Sequence, residues 1–320
     1  MSDVLTLAPA APLRLPFRHL IDAGALDRPL VEALLESAAA LAERPARAAG
    51  RLSGRILASL FFEPSTRTRL SFESAMLRLG GQVIGAQDAA VSSSAAKGES
   101  VEDMVRVVSG YTDVIVLRHP ACGAAGLAAG ASSVPVINAG DGAGQHPTQA
   151  LLDLYTIQTE LGRISGLHVG LAGDLKHGRT ARSLALLLAL FPLIELTLIS
   201  PPSLRMEADL LRQLRRRKVV VHETDDLRAA APGLDVLYQT RLQRERLSGP
   251  QAPQAADLPI VDLEVMDRLP PRALLMHPLP RVGEIDPAVD ADPRAAYFRQ
   301  ARHGLVVRMA VLLWLCGGLE

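Results

Sequence analysis

Residues 56–69 read ILASLFFEPSTRTR, an apolar run from Ile56 to Phe62 that stops at Glu63-Pro64 and gives way to hydroxyls and guanidiniums. The run suits a buried strand. The polar stretch after it opens a helical pattern at Thr68–Leu79, as the strand-to-helix turn of a parallel α/β unit does. Further strands are expected at Gln82–Ala86, Asp113–Arg118 and Val134–Asn138, with helices near Pro29–Ala42, Ser100–Ser109 and Gly123–Gly130. A second series has strands at Leu167–Ala172, Glu195–Ser200, Lys218–His222, Asp235–Gln239 and Ala273–His277, interleaved with helices such as Arg179–Leu190 and Leu204–Arg216.

A chain of 320 residues is too long for one ordinary core and about right for two domains of ~150 residues. The expected fold is α/β, with two doubly wound domains that each carry a central parallel sheet flanked by helices. The first domain is placed at residues 1–147 plus 303–320 and the second at 148–302. A helix at Pro147–Leu161 would bridge them, and the last apolar helix, Gly304–Leu315, would pack back on the first domain. No internal sequence repeat is visible.

Hydrophobic residues make up 48% of the chain and charged residues 21%, with 34 basic against 34 acidic side chains. That composition predicts a compact globular protein with no global field to draw it to nucleic acid or anionic lipid. The longest apolar run, Leu184–Ile194, is broken by Pro192 and falls short of the ~20 residues that span a bilayer; it reads as a buried helix. Asp3, with no basic residue before Arg14, does not suit a secretory start. Cys122 and Cys316 alone imply no disulfide framework, and a cytoplasmic protein is expected.

In open α/β sheets ligands bind beyond the C-terminal ends of the strands, and the chemically interesting residues fall there. Ser65, Thr66, Arg67, Thr68 and Arg69 could cradle a phosphate with backbone N–H groups at a helix start. The same residues also suit a plain helix cap with two solvated arginines. The stretch 141–149, DGAGQHPTQ, places His146 between a strand and a helix, where it could donate to an oxyanion or serve as a structural hydrogen-bonder. Asp153, four residues past Gln149, reads as a local partner on the helix face.

Residues 173–180, GDLKHGRT, nearly fit a nucleotide-binding P-loop. Arg179 stands where that motif needs its lysine, however, and no strand supplies a metal-holding Asp. The G-x-G-x-x-G spacing of a dinucleotide site is absent too. Arg118, then Arg241 and Gln243, and then HPLPR at 277–281 each close or follow a strand, and guanidiniums so placed argue for a ligand with several negative charges. The run Arg215–Lys218 suits a solvated helix end.

Taken together and in order, these motifs resemble the catalytic chains of the aspartate carbamoyltransferase family, from about Arg18 to Leu315. The resemblance implies transfer of a carbamoyl group from carbamoyl phosphate to L-aspartate, in pyrimidine synthesis, with no metal and no organic cofactor. It implies that Ser65, Thr66, Arg67 and Thr68 cradle carbamoyl phosphate, with Arg118 on the phosphate side. Arg118, His146 and Thr68 would polarise the carbamoyl oxygen. Gln149 and the carbonyl of Leu279, set by a cis peptide to Pro280, would hold the carbamoyl amide. Arg179, Arg241 and Gln243 would grip the carboxylates of aspartate.

By the same resemblance a homotrimer is expected, in which a neighbouring subunit lends Ser93 and Lys97 to each site. From the residues alone, Lys97 in VSSSAAKGES reads as a solvated loop residue. A regulatory chain or dihydroorotase could join the assembly. The departures are small: Ala96 stands where some relatives carry a second lysine, and residues 249–258 are unusually rich in Pro and Ala. An ornithine-using relative would want carboxylates on the acceptor side and a Cys in the HPLPR segment. A catalytically silent homologue would have lost a cradle residue, and every matched position is present.

Overall fold

The computed structural model describes residues 18–86, 98–243 and 258–317. Ser93, Lys97, the leader before Pro16 and most of 249–258 therefore lie outside the described residues. The first sheet contains β1 (Ile56–Phe61), β2 (Gln82–Ala86), β3 (Val114–His119) and β4 (Val136–Asp141), in the order β2-β1-β3-β4. The second contains β5 (His168–Ala172), β6 (Glu195–Ile199), β7 (Val220–Thr224), β8 (Val236–Gln239) and β9 (Leu274–Met276), in the order β7-β6-β5-β8-β9. All pairings within both sheets are parallel. Among the described residues the helices are α1 (Arg28–Glu43), α2 (Thr66–Arg78), α3 (Val101–Val108), α4 (Ala124–Ala131), α5 (Pro147–Leu161), α6 (Arg179–Leu188), α7 (Ala208–Arg216), α8 (Leu227–Ala230), α9 (Leu263–Arg268) and α10 (Tyr297–Cys316).

Strand order reverses direction between β1 and β3 in one sheet and between β5 and β8 in the other. At such switch points the adjoining loops diverge and leave a crevice. The segments after β1, β3, β5 and β8 are among those the sequence singled out, together with those after β4 and β9.

Helix α5 joins the sheets and has the bounds the sequence predicts. Pro147 occupies its first turn and Gly162 ends it in the left-handed conformation, as the backbone needs at these two places. Its residues from Pro147 to Ile157 are all buried. Helix α10 packs against α1, α2 and α5, and one hydrophobic cluster runs from Leu57 and Phe72 through Leu151 to Val169, Leu184 and Val311.

Several elements differ from expectation for local reasons. Helix α2 starts at Thr66, so the hydroxyl-and-arginine stretch forms its first turn and not a preceding loop. Strand β4 starts after Pro135, which has no N–H to give to a ladder, and continues to Asp141. Lys218 takes a positive φ of 62° at the end of α7, so β7 begins only at Val220. Residues 202–204 form a separate 3₁₀ turn before α7. Helix α6 ends at Leu188, inside the apolar run Leu184–Ile194. Helix α10 starts at Tyr297, well before the apolar stretch that signals it, because its first turns carry Arg299, Arg302 and His303.

The two central strand pairs are fastened alike. Asp113 accepts the Ile56 N–H at 2.9 Å and pairs with Arg55 at 2.6 Å. Asp235 accepts the His168 N–H at 2.9 Å and pairs with Arg163 at 3.4 Å. Each Asp thus locks the start of the central strand to the start of its neighbour. We expect Asp113→Ala and Asp235→Ala each to lower unfolding free energy by about 1–3 kcal/mol, because each leaves a strand N–H without its acceptor. Urea titration of the two variants checks this.

Candidate active site

Between the C-terminal edges of the two sheets lies a cavity of about 860 Å³, within the range of sites that enclose small ligands. Every described residue the sequence proposed for the site lines it: Ser65, Thr66, Arg67, Thr68, Arg118, His146, Gln149, Arg179, Arg241, Gln243, Leu279 and Pro280. The Leu279–Pro280 peptide is cis, as the resemblance implied.

Three helices begin at this cavity without a side-chain cap: α2 after Ser65, α5 after His146 and α6 after Gly178. The first N–H groups of such helices carry partial positive charge, although in α5 Pro147 has no N–H and the Gln149 N–H donates to the His146 carbonyl at 3.0 Å. The Ser65 hydroxyl does not cap α2, which removes the plain-cap reading of that residue.

Arg67, Arg118, Arg179, Arg241, Arg302 and Arg308 all contribute to the lining, against Glu63 as its carboxylate. Glu63 Oε2 lies 3.2 Å from Arg118 Nε and 3.5 Å from Arg179 Nη2. Arg118 stands where the β3–β4 register slips between Leu117 and His119, an irregularity of the kind that re-aims a side chain. Arg179, buried at 6% exposure, also donates to the Gly142 carbonyl at 2.8 Å. A Cβ on Gly140 would lie 2.7 Å from the Arg179 guanidinium carbon, and Gly140 has φ +115°, so only glycine lets that guanidinium lie there. Burial, followed by the neighbouring Arg241, pushes the Arg67 guanidinium below its ordinary range. Such a lining suits an anion of several charges and repels a metal cation.

The GDLKHGRT stretch serves to join two loops. A Cβ on Gly173, which has φ +111°, would come within 2.2 Å of the Thr240 carbonyl, so glycine permits the loops after β5 and β8 to touch. Buried Asp174 then accepts from the His177 N–H at 3.0 Å and the Gln243 N–H at 3.1 Å. This ties Gln243 and Arg241 to the turn that carries Arg179.

His146 is buried, and its Nδ1 has no partner among the described residues. Burial, then Arg179, Arg118 and Arg308, hold its pKa well below the ordinary imidazole range. The ring is neutral and carries one N–H, which suits donation to a developing oxyanion. His277 Nδ1 accepts the Leu279 N–H at 2.8 Å, and its Nε2 stands 2.7 Å from Glu284. The Leu279 contact requires an acceptor at Nδ1, so the proton sits on Nε2.

Some lining residues escaped the sequence reading. Gln300, Arg302 and Arg308 come from α10. Arg308 stacks over Phe72 at 5.0 Å, and burial brings its pKa down to about 10. A lone arginine inside the apolar stretch Gly304–Leu315 was a usable signal, since such a charge is rarely buried without a purpose. On spacing alone Asp153 pairs locally on the helix face. It is fully buried and reaches Tyr238 and Gln300 as well as Gln149.

The fold and cavity define a two-sheet α/β protein with an arginine-lined cleft between the switch points of its sheets. Residues 18–159 match the family description "Aspartate/ornithine carbamoyltransferase, carbamoyl-P binding domain", and residues 165–315 match "Aspartate/ornithine carbamoyltransferase, Asp/Orn binding domain". The chloroplastic aspartate carbamoyltransferase of Oryza sativa subsp. japonica is 50% identical, over 97% of this chain and 87% of its own. The aspartate carbamoyltransferase catalytic subunit of Thermococcus onnurineus is 56% identical, over 83% and 86%. A crystal structure of Trypanosoma cruzi aspartate transcarbamoylase with carbamoyl phosphate and aspartate superposes with a TM-score of 0.87 at 41% identity, covering 92% of this chain and 96% of that one. The chain belongs to the aspartate/ornithine carbamoyltransferase family.

The buried histidines predict how stability depends on pH. His19, His119, His146, His277 and His303 all have lowered pKa values, with burial the leading cause in each. Unfolded rings bind protons below about pH 6.5 that the folded rings refuse, so stability is full above that pH and falls below it. Asp153, pushed up to about 7 by burial, acts in the opposite sense but is outnumbered. The urea midpoint is expected to drop between about pH 7.5 and about pH 5.5. A midpoint that holds or rises over that interval would contradict the burial of neutral rings.

Proposed function

We propose that this chain transfers the carbamoyl group of carbamoyl phosphate to the amine of L-aspartate, giving N-carbamoyl-L-aspartate and phosphate, an early step of pyrimidine synthesis. The observation that carries the reading is the division of the cavity. One wall, from α2 and Arg118, suits a phosphate, and the facing wall, from Arg179, Arg241 and Gln243, suits a dicarboxylate. Glu63, the carboxylate in the lining, stands against Arg118 and Arg179, which disfavours a cationic acceptor such as ornithine. That aspartate carbamoyltransferases are about half identical to the chain supports the same choice.

In this reading Ser65, the N–H groups of the first turn of α2, Arg67 and Arg118 bind the phosphate. Thr68, Arg118 and His146 donate to the carbamoyl oxygen, while Gln149 and the Leu279 carbonyl, next to Pro280, accept from the carbamoyl NH₂. Arg179, Arg241 and Gln243 hold the aspartate carboxylates and aim its neutral amine at the carbamoyl carbon. The C–N bond forms, the carbonyl oxygen becomes an oxyanion stabilised by the donors around it, and the bond to the phosphate oxygen breaks. The departing phosphate takes the amine proton. The residues that bind thus supply both orientation and charge.

The reading extends to a homotrimer in which Ser93 and Lys97 of a neighbouring subunit complete each site. Exposed Leu70 and Leu77 on α2 and Ile84 on edge strand β2 offer apolar surface that a neighbouring subunit would cover. We place the division of domains near residue 147, with α10 returned to the first, and a regulatory chain or dihydroorotase as further partners. The free thiols of Cys122 and Cys316 suit a reducing cytoplasm.

The test is product formation by the purified chain with carbamoyl phosphate and either L-aspartate or L-ornithine. Carbamoyl-aspartate is expected; carbamoyl-ornithine, or no transfer to either, overturns the reading. Arg67→Ala should lower turnover on the order of a hundredfold or more with an unchanged circular dichroism spectrum. Mixing inactive Arg67→Ala and Lys97→Ala chains should restore part of the activity, because mixed trimers contain intact shared sites. No recovery after demonstrated subunit exchange would exclude sharing.

A further inference from the structure

Asp153 stands behind the cavity wall, fully buried. Its Oδ1 accepts from Gln149 Nε2 at 2.8 Å and from Gln300 Nε2 at 2.7 Å, and its Oδ2 accepts from the Tyr238 hydroxyl at 2.8 Å. A carboxylate in such a place costs free energy that an apolar residue would not. The site keeps it, and the geometry indicates why.

Burial pushes the Asp153 carboxyl up to about 7, so above neutral pH it is ionised; its oxygens then only accept hydrogen bonds, and each neighbouring glutamine must turn its NH₂ towards Asp153 and its oxygen away. The Gln300 oxygen accepts the His277 N–H at 2.9 Å, and His277 Nδ1 in turn accepts the Leu279 N–H at 2.8 Å. The Gln149 oxygen is left to the cavity that Gln149 lines. Two arms therefore run from one carboxylate. The short arm fixes which end of the Gln149 amide the ligand meets, and the long arm, through Gln300 and His277, sets the main chain at Leu279.

We infer that Asp153 is a positioning residue that turns this part of the wall into an acceptor-only surface, so that the cavity selects an acyl phosphate bearing NH₂ over one bearing methyl. The inference rests on the carbamoyl phosphate reading and deepens it. A carbamoyl NH₂ satisfies acceptors on the wall; an acetyl methyl leaves them buried and unpaired, which a polar site penalises heavily. Without the carboxylate the Gln149 amide can rotate and present its own NH₂, and the preference is lost.

Asp153→Asn keeps the shape but offers one oxygen where the carboxylate had two. Full-length wild-type and Asp153→Asn proteins are compared at about pH 8.5, where the carboxylate is ionised, for kcat/KM with carbamoyl phosphate at saturating aspartate, and for inhibition by acetyl phosphate and by inorganic phosphate. The expected result is a fall of about tenfold or more in the preference for carbamoyl phosphate over acetyl phosphate, with phosphate inhibition nearly unchanged. Gln149→Ala should produce the same loss, and adding Asp153→Asn to it should produce little more, because both act through one group. If Asp153→Asn does not fold, Gln300→Met severs the long arm alone and should lower the preference several-fold.

An unchanged preference in an otherwise active enzyme overturns the positioning role while the transferase reading stands. A preference that falls only in step with phosphate affinity also overturns it, since a loosened cavity would do the same. A wild-type chain that transfers no carbamoyl group overturns the reading itself, and this inference with it.

Discussion

Two like charges about 4 Å apart repel by roughly 4 kcal/mol at the effective polarity of a protein surface. A cavity lined by Arg67, Arg118, Arg179, Arg241, Arg302 and Arg308 must therefore be held together by the rest of the fold. Glu63 offsets part of the repulsion by meeting both Arg118 and Arg179. Phe72 offers its ring face to Arg308, and the Gly142 carbonyl accepts a hydrogen bond from Arg179. What remains uncompensated is available to an anionic ligand. A substrate pair carrying a phosphate and two carboxylates would relieve that repulsion.

The framework that resists this repulsion is two parallel sheets whose C-terminal edges share the cavity. Parallel strands point their following loops to the same side, so each sheet delivers two ligand-facing segments at its switch point. The repeated Asp clamps, Asp113 before β3 holding the start of β1 and Asp235 before β8 holding the start of β5, fix the opposite edge. Glycines 140 and 173 are placed where a side chain would push Arg179 or the Thr240 loop out of position. Helix α10 packs against α1, α2 and α5 and so makes the wall of the cavity part of the hydrophobic core.

Helix α5 carries the most costly chemistry. Its buried face holds His146, Gln149 and Asp153 within two turns, positions that an ordinary bridging helix would fill with apolar side chains. The imidazole is kept neutral by burial and by the arginines, and the carboxyl is pushed up to about 7 by burial despite its three donors. Stability is spent here on orientation, a trade expected at a functional site.

The alternation of apolar runs with helical patterns, read from the sequence alone, determined the α/β class, and the helical pattern of Pro147–Leu161 matched the bounds of α5. The phosphate-suited stretch 65–68, His146, Gln149, Arg179, Arg241 and Gln243 were legible because reactive groups at strand ends contrast with the buried runs before them. Arg308 and Gln300 were less so, since a helix late in the chain gives no local sign that it returns to a cleft formed much earlier. The partnership of Asp153 was hidden for a related reason. On paper its nearest polar neighbour is Gln149, one turn away, and only the packing of β8 and α10 against α5 brings Tyr238 and Gln300 to the same carboxylate. Local spacing determines which face of an element a side chain occupies; which distant face it meets is decided by the tertiary fold, because that contact forms between elements and is written in neither of them.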